Sequence, residues 1–153
     1  MMKSTHCCKG LGQPWLVALA AAGFTLAPAA AKPPLPTFIH TPSGLQYVDM
    51  RPGQGKTPEP GQTCSVLYRG WLYQNKRRGK LFDSAQDPHQ PFQFTLGRGQ
   101  VIAGWDEGVK TMKLGGKRVL IIPPALAYGD QGTGGTIPPG ATLLFEIELL
   151  SAK

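Results

Sequence analysis

The side chains best suited to chemistry in this sequence are aromatic and apolar, and they fall in three short segments. These segments are 101–105 (VIAGW), 128–129 (YG) and 137–140 (IPPG). They contain no nucleophile beside a base, no set of metal ligands and no phosphate-binding loop. An aromatic cup with few polar groups suits a substrate whose reaction needs no covalent step.

Other catalytic templates match the sequence poorly. His40 and His89 have no partner at a metal-ligand spacing, so we expect no metal site. The segment 129–135 (GDQGTGG) looks like a phosphate loop but lacks the Lys-Ser/Thr end and the following helix. Asp106 and Glu107 would project about 100° apart on a helix, so they do not form an acid–base pair. We therefore expect no cofactor.

The elements that position the aromatic segments are predicted to be mostly strands. With 20 glycines and 15 prolines, the chain is unsuited to a helix bundle. Alternation of apolar and polar residues, bounded by Gly and Pro, marks each strand. The predicted strands cover residues 45–50, 63–73, 80–84, 92–96, 117–122 and 141–150.

One helix is predicted, over residues 104–113. Trp105, Val109 and Met112 recur at helical spacing and form one apolar stripe, and Gly115 and Gly116 follow as a stop. The links between strands are too short for repeated crossover helices. The sequence therefore predicts an α+β fold, a mostly antiparallel sheet with one short helix on one face.

The first 31 residues are predicted to be a secretory signal peptide. Lys3 and Lys9 precede an apolar run over 15–26, and small residues fill 27–31 (APAAA). We expect cleavage after residue 31 and export to the periplasm or an equivalent compartment; an uncleaved anchor is the alternative. Residues 32–43, rich in proline, are predicted to be a linker, and residues 44–153 the folded domain.

The net charge and the cysteine content argue against a nucleic-acid-binding protein and against a disulfide-stabilised domain. The net charge of +7 falls to +5 when Lys3 and Lys9 are subtracted, because no acidic residue precedes Asp49. So mild an excess does not indicate a nucleic-acid partner. Cys64 is the only cysteine after residue 31, so an internal disulfide is excluded and a small buried side chain is expected.

Seven segments, in order and at similar spacing, resemble the FK506-binding family of peptidyl-prolyl cis-trans isomerases over residues 44–151. They are 68–70 (YRG), 82–84 (FDS), 91–97 (PFQFTLG), 101–108 (VIAGWDEG), 127–129 (AYG), 137–139 (IPP) and 144–150 (LFEIELL). The resemblance implies a strongly bent antiparallel sheet wrapped around one short helix. It also implies a pocket that binds the prolyl residue.

The resemblance assigns roles to particular residues. Trp105 would form the floor of the pocket, and the other substrate-binding residues would be Tyr68, Phe82, Phe92, Val101, Ile137 and Phe145. The Ile102 N–H and the Tyr128 hydroxyl would bond carbonyls that flank the prolyl bond. Asp83 would polarise the twisted amide or orient Tyr128, although an Asp before Ser84 is also typical of a turn.

The implied activity is isomerisation of proline-containing polypeptides by a monomer without a cofactor, with FK506- or rapamycin-type macrolides as possible inhibitors. A proline-peptide-binding or chaperone module with little turnover is the alternative. Three features depart from the family pattern. Residues 86–89 (QDPH), with Pro88 among them, occupy the stretch between Asp83 and Phe92 where many members carry a basic residue that can pair with the pocket Asp, and His89 is the only possible cation in it. Thr136 stands where many members have a bulky aliphatic residue, and the hairpin tip 75–80 is longer and more basic than in short members. That tip is expected to be a solvated turn, or else a contact for an acidic partner or lipid.

Overall fold

A seven-stranded antiparallel sheet curls around one short helix in the computed structural model, which describes residues 37–153. The elements are β1 (Ile39–His40), β2 (Gln46–Arg51), β3 (Thr63–Gln74), β4 (Arg77–Ala85), β5 (Phe92–Thr95), α1 (Ala103–Lys110), β6 (Lys117–Ile122) and β7 (Leu143–Ala152), with a 3₁₀ turn at Pro124–Leu126. The strands lie in the order β1-β2-β6-β7-β3-β4, and β5 pairs with β3. This arrangement confirms the predicted α+β fold.

The predicted signal peptide, residues 1–31, lies outside the described residues. The folded part of the chain begins before residue 44, where the sequence suggested a boundary. Ile39 and His40 form β1 and pair with Tyr47 and Gln46 of β2. Two residues are too few to show an alternating pattern, so the sequence of this proline-rich segment did not predict the strand. Within residues 37–153, the helix is too short and too polar to cross a membrane.

The β3–β4 hairpin is tighter than predicted. Its turn consists of Asn75 and Lys76, both with positive φ (51° and 59°), as two-residue hairpin turns require. Strand β4 therefore starts at Arg77 and not at Lys80. The basic residues after the turn belong to a strand, which fixes their direction.

The concave face of the sheet and α1 enclose the main core. The predicted inward residues of β3, namely Cys64, Val66 and Tyr68, are at most 8% exposed. The inward residues of β7 alternate as expected, and Leu143 and Ile147 are fully buried. Burial, followed by the charge of Asp106, raises the pKa of the Cys64 thiol, which keeps that residue an inert part of the core.

The helix lies against β6 because two glycines allow a close approach. A methyl group at Gly104 would collide with Ile122, and one at Gly108 would lie 2.7 Å from the Leu120 methyl carbons. The helix ends at Lys110, three residues before the predicted end, yet Met112 keeps its place in the core at 2% exposure. The stripe of apolar residues was therefore predicted better than the helix end.

A buried arginine fixes the far end of the helix. Arg118 is 3% exposed and forms two hydrogen bonds to the Asp49 carboxylate, of 2.6 and 2.9 Å. It also donates to the Gly108 carbonyl and the Thr111 hydroxyl, and its guanidinium lies 4.1 Å from the ring centre of Tyr47. A buried charge with this many partners is compensated. It ties the end of α1 to β2 and β6, so that Trp105 is carried on a rigid element.

Candidate active site

A pocket of about 170 Å³ opens where the chain enters α1. Its walls come from four strands (β3, β4, β5 and β7), the segment before the helix, the first turn of α1 and the loop after the 3₁₀ turn, so it exists only in the folded chain. The residues that line it are Tyr68, Phe82, Asp83, Phe92, Gln100, Val101, Ile102, Trp105, Tyr128 and Phe145.

Trp105 forms the floor of this pocket. Its side chain is 4% exposed and meets the rings of Tyr68, Phe145 and Phe92 edge-on, with centroids 4.9, 5.2 and 5.9 Å away. Edge-to-face contacts are the favoured packing of aromatic rings. The Phe94 ring is a fourth neighbour, with its centroid 5.8 Å from that of the indole. Contacts with four aromatic rings therefore fix the position of the indole.

The indole nitrogen of Trp105 is buried, and within residues 37–153 it has no hydrogen-bond partner. Leaving a buried donor unpaired costs free energy. Aromatic packing alone therefore holds the indole in place.

A glycine makes room for two of the aromatic walls. Phe82 and Phe145 meet edge-on at 5.5 Å, and a methyl group on Gly70 would lie 2.8 and 2.7 Å from their rings. Gly70 pairs with both Asp83 and Phe145 in the sheet. The third position of the 68–70 segment thus has a packing reason to be glycine.

Asp83 is bonded to Tyr68. The Tyr68 hydroxyl donates to Asp83 Oδ2 at 2.6 Å, and the Ser84 N–H donates to Asp83 Oδ1 at 2.9 Å. Burial, together with this hydrogen bond and the charge of Asp83, raises the pKa of Tyr68, so the phenol remains a donor. In the part of the chain that is described, Asp83 makes no hydrogen bond to Tyr128, which corrects the idea that it orients that residue.

The loop after β4 explains how Asp83 is held without a neighbouring cation. Between residues 37 and 153, Asp83 forms no salt bridge. Instead Gln86, just past the last pair of the β3–β4 ladder, donates to the Tyr68 carbonyl at 2.8 Å and accepts from Arg69 at 2.7 Å. This side chain extends the strand pairing beyond Ala85 and steadies the wall that carries Asp83.

Two hydrogen-bond donors at the pocket have no acceptor among the described residues. Ile102 caps α1 and its carbonyl accepts from Trp105 and Asp106, but its own N–H meets no acceptor among the described residues. The Tyr128 hydroxyl likewise has no hydrogen-bond partner in the described region, and this residue is 39% exposed. Both donors are therefore available to a bound molecule.

All the residues predicted to form the pocket line it except Ile137. That residue is 4% exposed, packs in the main core and is bridged to Thr133 by backbone hydrogen bonds. Gln100 was missed; its side-chain oxygen accepts the Thr95 N–H at 2.7 Å. The only feature of the sequence that could have indicated Gln100 as a pocket residue is its position directly before Val101.

The site offers packing and hydrogen-bond donors but no nucleophile paired with a base. In the described part of the chain, no three His, Cys, Asp or Glu side chains are grouped to hold a metal ion. Such a pocket can dehydrate and orient a polar group of a ligand. It suits a reaction that changes conformation and leaves covalent bonds intact.

Comparisons with known proteins agree with the kind of reaction that this geometry suits. The family model for FKBP-type peptidyl-prolyl cis-trans isomerase matches residues 54–150. An FK506-binding protein of Neisseria meningitidis is 52% identical over 107 residues, which span 70% of this chain and 94% of that protein. The peptidyl-prolyl cis-trans isomerase Fkbp12 of Drosophila melanogaster is 46% identical over 111 residues, which span 72% of this chain and 99% of that protein.

A solved structure shares the fold. The crystal structure of a peptidyl-prolyl cis-trans isomerase from Pseudomonas syringae has a TM-score of 0.66 and 35% sequence identity, with 80% of this chain and 84% of that chain covered. The fold, the sequence similarity and the aromatic pocket thus all point to the same family. The chain belongs to the FKBP-type peptidyl-prolyl cis-trans isomerases.

Proposed function

We propose that this isomerase turns X-Pro bonds by binding the twisted amide non-covalently over Trp105. The prolyl ring lies on the indole, and the Ile102 N–H and the Tyr128 hydroxyl donate to carbonyls that flank the bond. The observation that carries this assignment is that these two donors have no acceptor among the described residues, on walls that are otherwise mostly aromatic. A donor kept free beside a dry floor is suited to a substrate carbonyl.

The physical case is a difference in desolvation. Rotation about the amide has a barrier of about 18–20 kcal/mol because it breaks resonance. The planar amide is polar and well hydrated, whereas the twisted form has lost part of its charge separation. An apolar pocket penalises the planar form more, which lowers the barrier. Removing about 7 kcal/mol would accelerate the reaction roughly 10⁵-fold.

Asp83 is proposed to act through its charge. Its Oδ2 is engaged by Tyr68, so the carboxylate is fixed at the wall of the pocket and does not swing. A fixed negative charge close to the carbonyl carbon of the twisted amide stabilises that state without proton transfer. The raised pKa of Tyr68 keeps this arrangement intact at neutral pH.

We further propose that the substrates are proline-containing segments of exported proteins and that FK506-type macrolides compete for the pocket. Support for export comes from the basic start, the apolar run over 15–26 and the small residues over 27–31. Mass spectrometry of the protein from the extracytoplasmic fraction is expected to find a chain starting at Lys32. A chain in that fraction that retains residues 1–31 would contradict cleavage.

The alternative is a binding module that uses the same pocket with little turnover. A protein whose slow refolding phase is limited by prolyl isomerisation separates the two. The isomerase is expected to speed this phase in proportion to its concentration, and an FK506-type macrolide is expected to abolish the effect. Suppressed aggregation with an unchanged slow phase would support the binding module.

A further inference from the structure

The face of the sheet that points away from α1 carries a second apolar cluster, which we call the outer cluster. It consists of Val48, Val119, Ile121 and Leu144, each 4–5% exposed. Val119 and Ile121 alternate along β6 with the residues that contact the helix, so they must face the opposite side. None of these four residues lines the active pocket, so the pocket gives no reason for aliphatic side chains on this face.

A groove of about 280 Å³ lies over the outer cluster, and it is larger than the active pocket. It is lined by the outer cluster and by the half-buried rings of Phe38 and Tyr73, which pack on that cluster. Its borders include Met50, Lys76 and Arg78. Met50 is 54% exposed although it is a large apolar side chain. The groove therefore combines a recessed apolar floor with an accessible apolar edge and two cations.

The β3–β4 hairpin builds the charged border of this groove. Arg78 is held by two contacts, a stack over Trp71 at 4.7 Å and a 3.3 Å salt bridge to Glu146. Lys76 stands in the turn itself, where its positive φ directs the chain back into β4. The border is thus formed by strand and turn residues of defined position.

The hairpin carries more positive charge than its surroundings neutralise. Lys76, Arg77 and Lys80 are exposed and form no salt bridge within the described region. Glu146, the acidic partner of Arg78, is shared with Lys117 at 2.6 Å. A carboxylate from another molecule would complement this excess.

We propose that the groove is a second polypeptide-binding site, which takes an extended segment that carries aliphatic side chains beside carboxylates. The aliphatic side chains enter the groove and the carboxylates meet the hairpin. A membrane surface fits less well, because insertion into a bilayer needs apolar side chains that protrude, whereas this floor is recessed behind cations. A client tethered here would keep its X-Pro bonds at a raised effective concentration around the enzyme.

The test is fluorescence anisotropy of the full chain with a labelled, proline-free peptide in which Leu alternates with Glu. Met50→Glu adds a negative charge at the apolar edge and is expected to weaken binding at least about tenfold. Lys76→Asn removes a charge while tolerating the positive φ, and is expected to weaken binding about threefold. The matched controls Leu150→Glu and Lys110→Asn lie outside the groove and should bind like the parent. Isomerisation of a short Leu-Pro peptide should be unchanged in Met50→Glu.

Any of four outcomes would overturn the proposal. The first is equal binding of a peptide with Lys in place of Glu, and the second is unchanged binding by Met50→Glu. The third is no peptide binding together with sedimentation on phosphatidylglycerol vesicles, which would assign the groove to lipid. The fourth is a concentration-dependent dimer in ultracentrifugation that Met50→Glu dissolves, which would assign the groove to a second copy of the chain.

Discussion

The Tyr68 hydroxyl donates a 2.6 Å hydrogen bond to the Asp83 carboxylate across the β3–β4 ladder. The two residues lie fifteen positions apart in the sequence and meet on the wall of the pocket. A neutral phenol therefore fixes the carboxylate, in a chain where residues 86–89 (QDPH) offer only His89 as a basic partner. Among the described residues no cation forms a salt bridge with Asp83, which suits an electrostatic role in catalysis.

This pair is expected to show coupling in a double-mutant cycle. Asp83→Ala and Tyr68→Phe should both lower kcat/KM. Each should also cost about 1 kcal/mol of stability, because each removes the hydrogen bond between the Tyr68 hydroxyl and the Asp83 carboxylate. The double variant should lose less than the sum of the two kcat/KM losses. Strict additivity in kcat/KM would show that Tyr68 does not act through Asp83.

Trp105 and Phe92 should separate stability from activity. Trp105 is 4% exposed, so Trp105→Ala is expected to cost about 3–5 kcal/mol in urea unfolding and to lose activity as well. Phe92 is 37% exposed and lines the same pocket, so Phe92→Ala should lose activity at a clearly smaller cost in stability. Equal destabilisation by both would mean that the exposed edge of Phe92 is not free for substrate.

Tyr128→Phe removes only a hydroxyl. Because that hydroxyl has no protein partner in the described region, the melting temperature should not change. The kcat/KM for a Leu-Pro peptide should fall about tenfold, the equivalent of one hydrogen bond made in the transition state. Tyr73→Phe, outside the pocket, is the matched control and should leave both values unchanged. Full activity in Tyr128→Phe would remove this hydroxyl from the mechanism.

Gly104→Ala should destabilise the protein although alanine favours helices. The helix propensity gained is about 1 kcal/mol. The added methyl group would collide with Ile122, which is fully buried and β-branched, and overpacking of this kind costs about 1–3 kcal/mol. Circular dichroism melting should show a lower midpoint than in the parent, whereas Lys110→Ala on the exposed face should melt like the parent. A higher midpoint for Gly104→Ala would mean that the helix can move away from β6.

Stability should fall on acidification partly through Glu146. Burial alone would raise the pKa of Glu146, but its hydrogen bond to Lys117 and the charges of Lys117, Arg78 and Arg69 lower it below the ordinary 4.5. A lowered folded-state pKa contributes stability above the unfolded value, and this contribution is lost as the pH falls through the folded value. The free energy of unfolding should therefore drop less in Glu146→Gln than in the parent between about pH 5 and about pH 3. Parallel curves for the two proteins would contradict the shift.

The fold was predictable where a long strand alternates cleanly. Residues 143–149 showed their inward and outward sides in the sequence because the period of two is set by the backbone. The turn at Asn75 and Lys76 was predicted too long, and the return strand was therefore predicted to start too late, because the turn depends on backbone angles that the basic run masked. Strand β1 was missed because its two residues are ordered by pairing with β2, a tertiary effect.

The site was predictable from the family resemblance as a set of aromatic walls, but its internal bonds were not. The Tyr68–Asp83 bond depends on the register of β3 against β4, which two irregularities shift near Trp71. Ile137 was predicted to bind substrate, but it is buried in the main core beside a backbone bridge to Thr133 that composition does not reveal. Gln100 acts through one hydrogen bond to the backbone, and Gln86 through bonds to both backbone and side-chain partners. No pattern of residues in the sequence predicts such bonds.

The most direct test is exchange NMR of a short Leu-Pro peptide with and without the protein. The account predicts that micromolar protein accelerates cis–trans exchange, that an FK506-type macrolide abolishes the acceleration, and that no covalent adduct of the peptide appears in mass spectra. Unchanged exchange rates with a correctly folded protein would contradict catalysis by the pocket over Trp105.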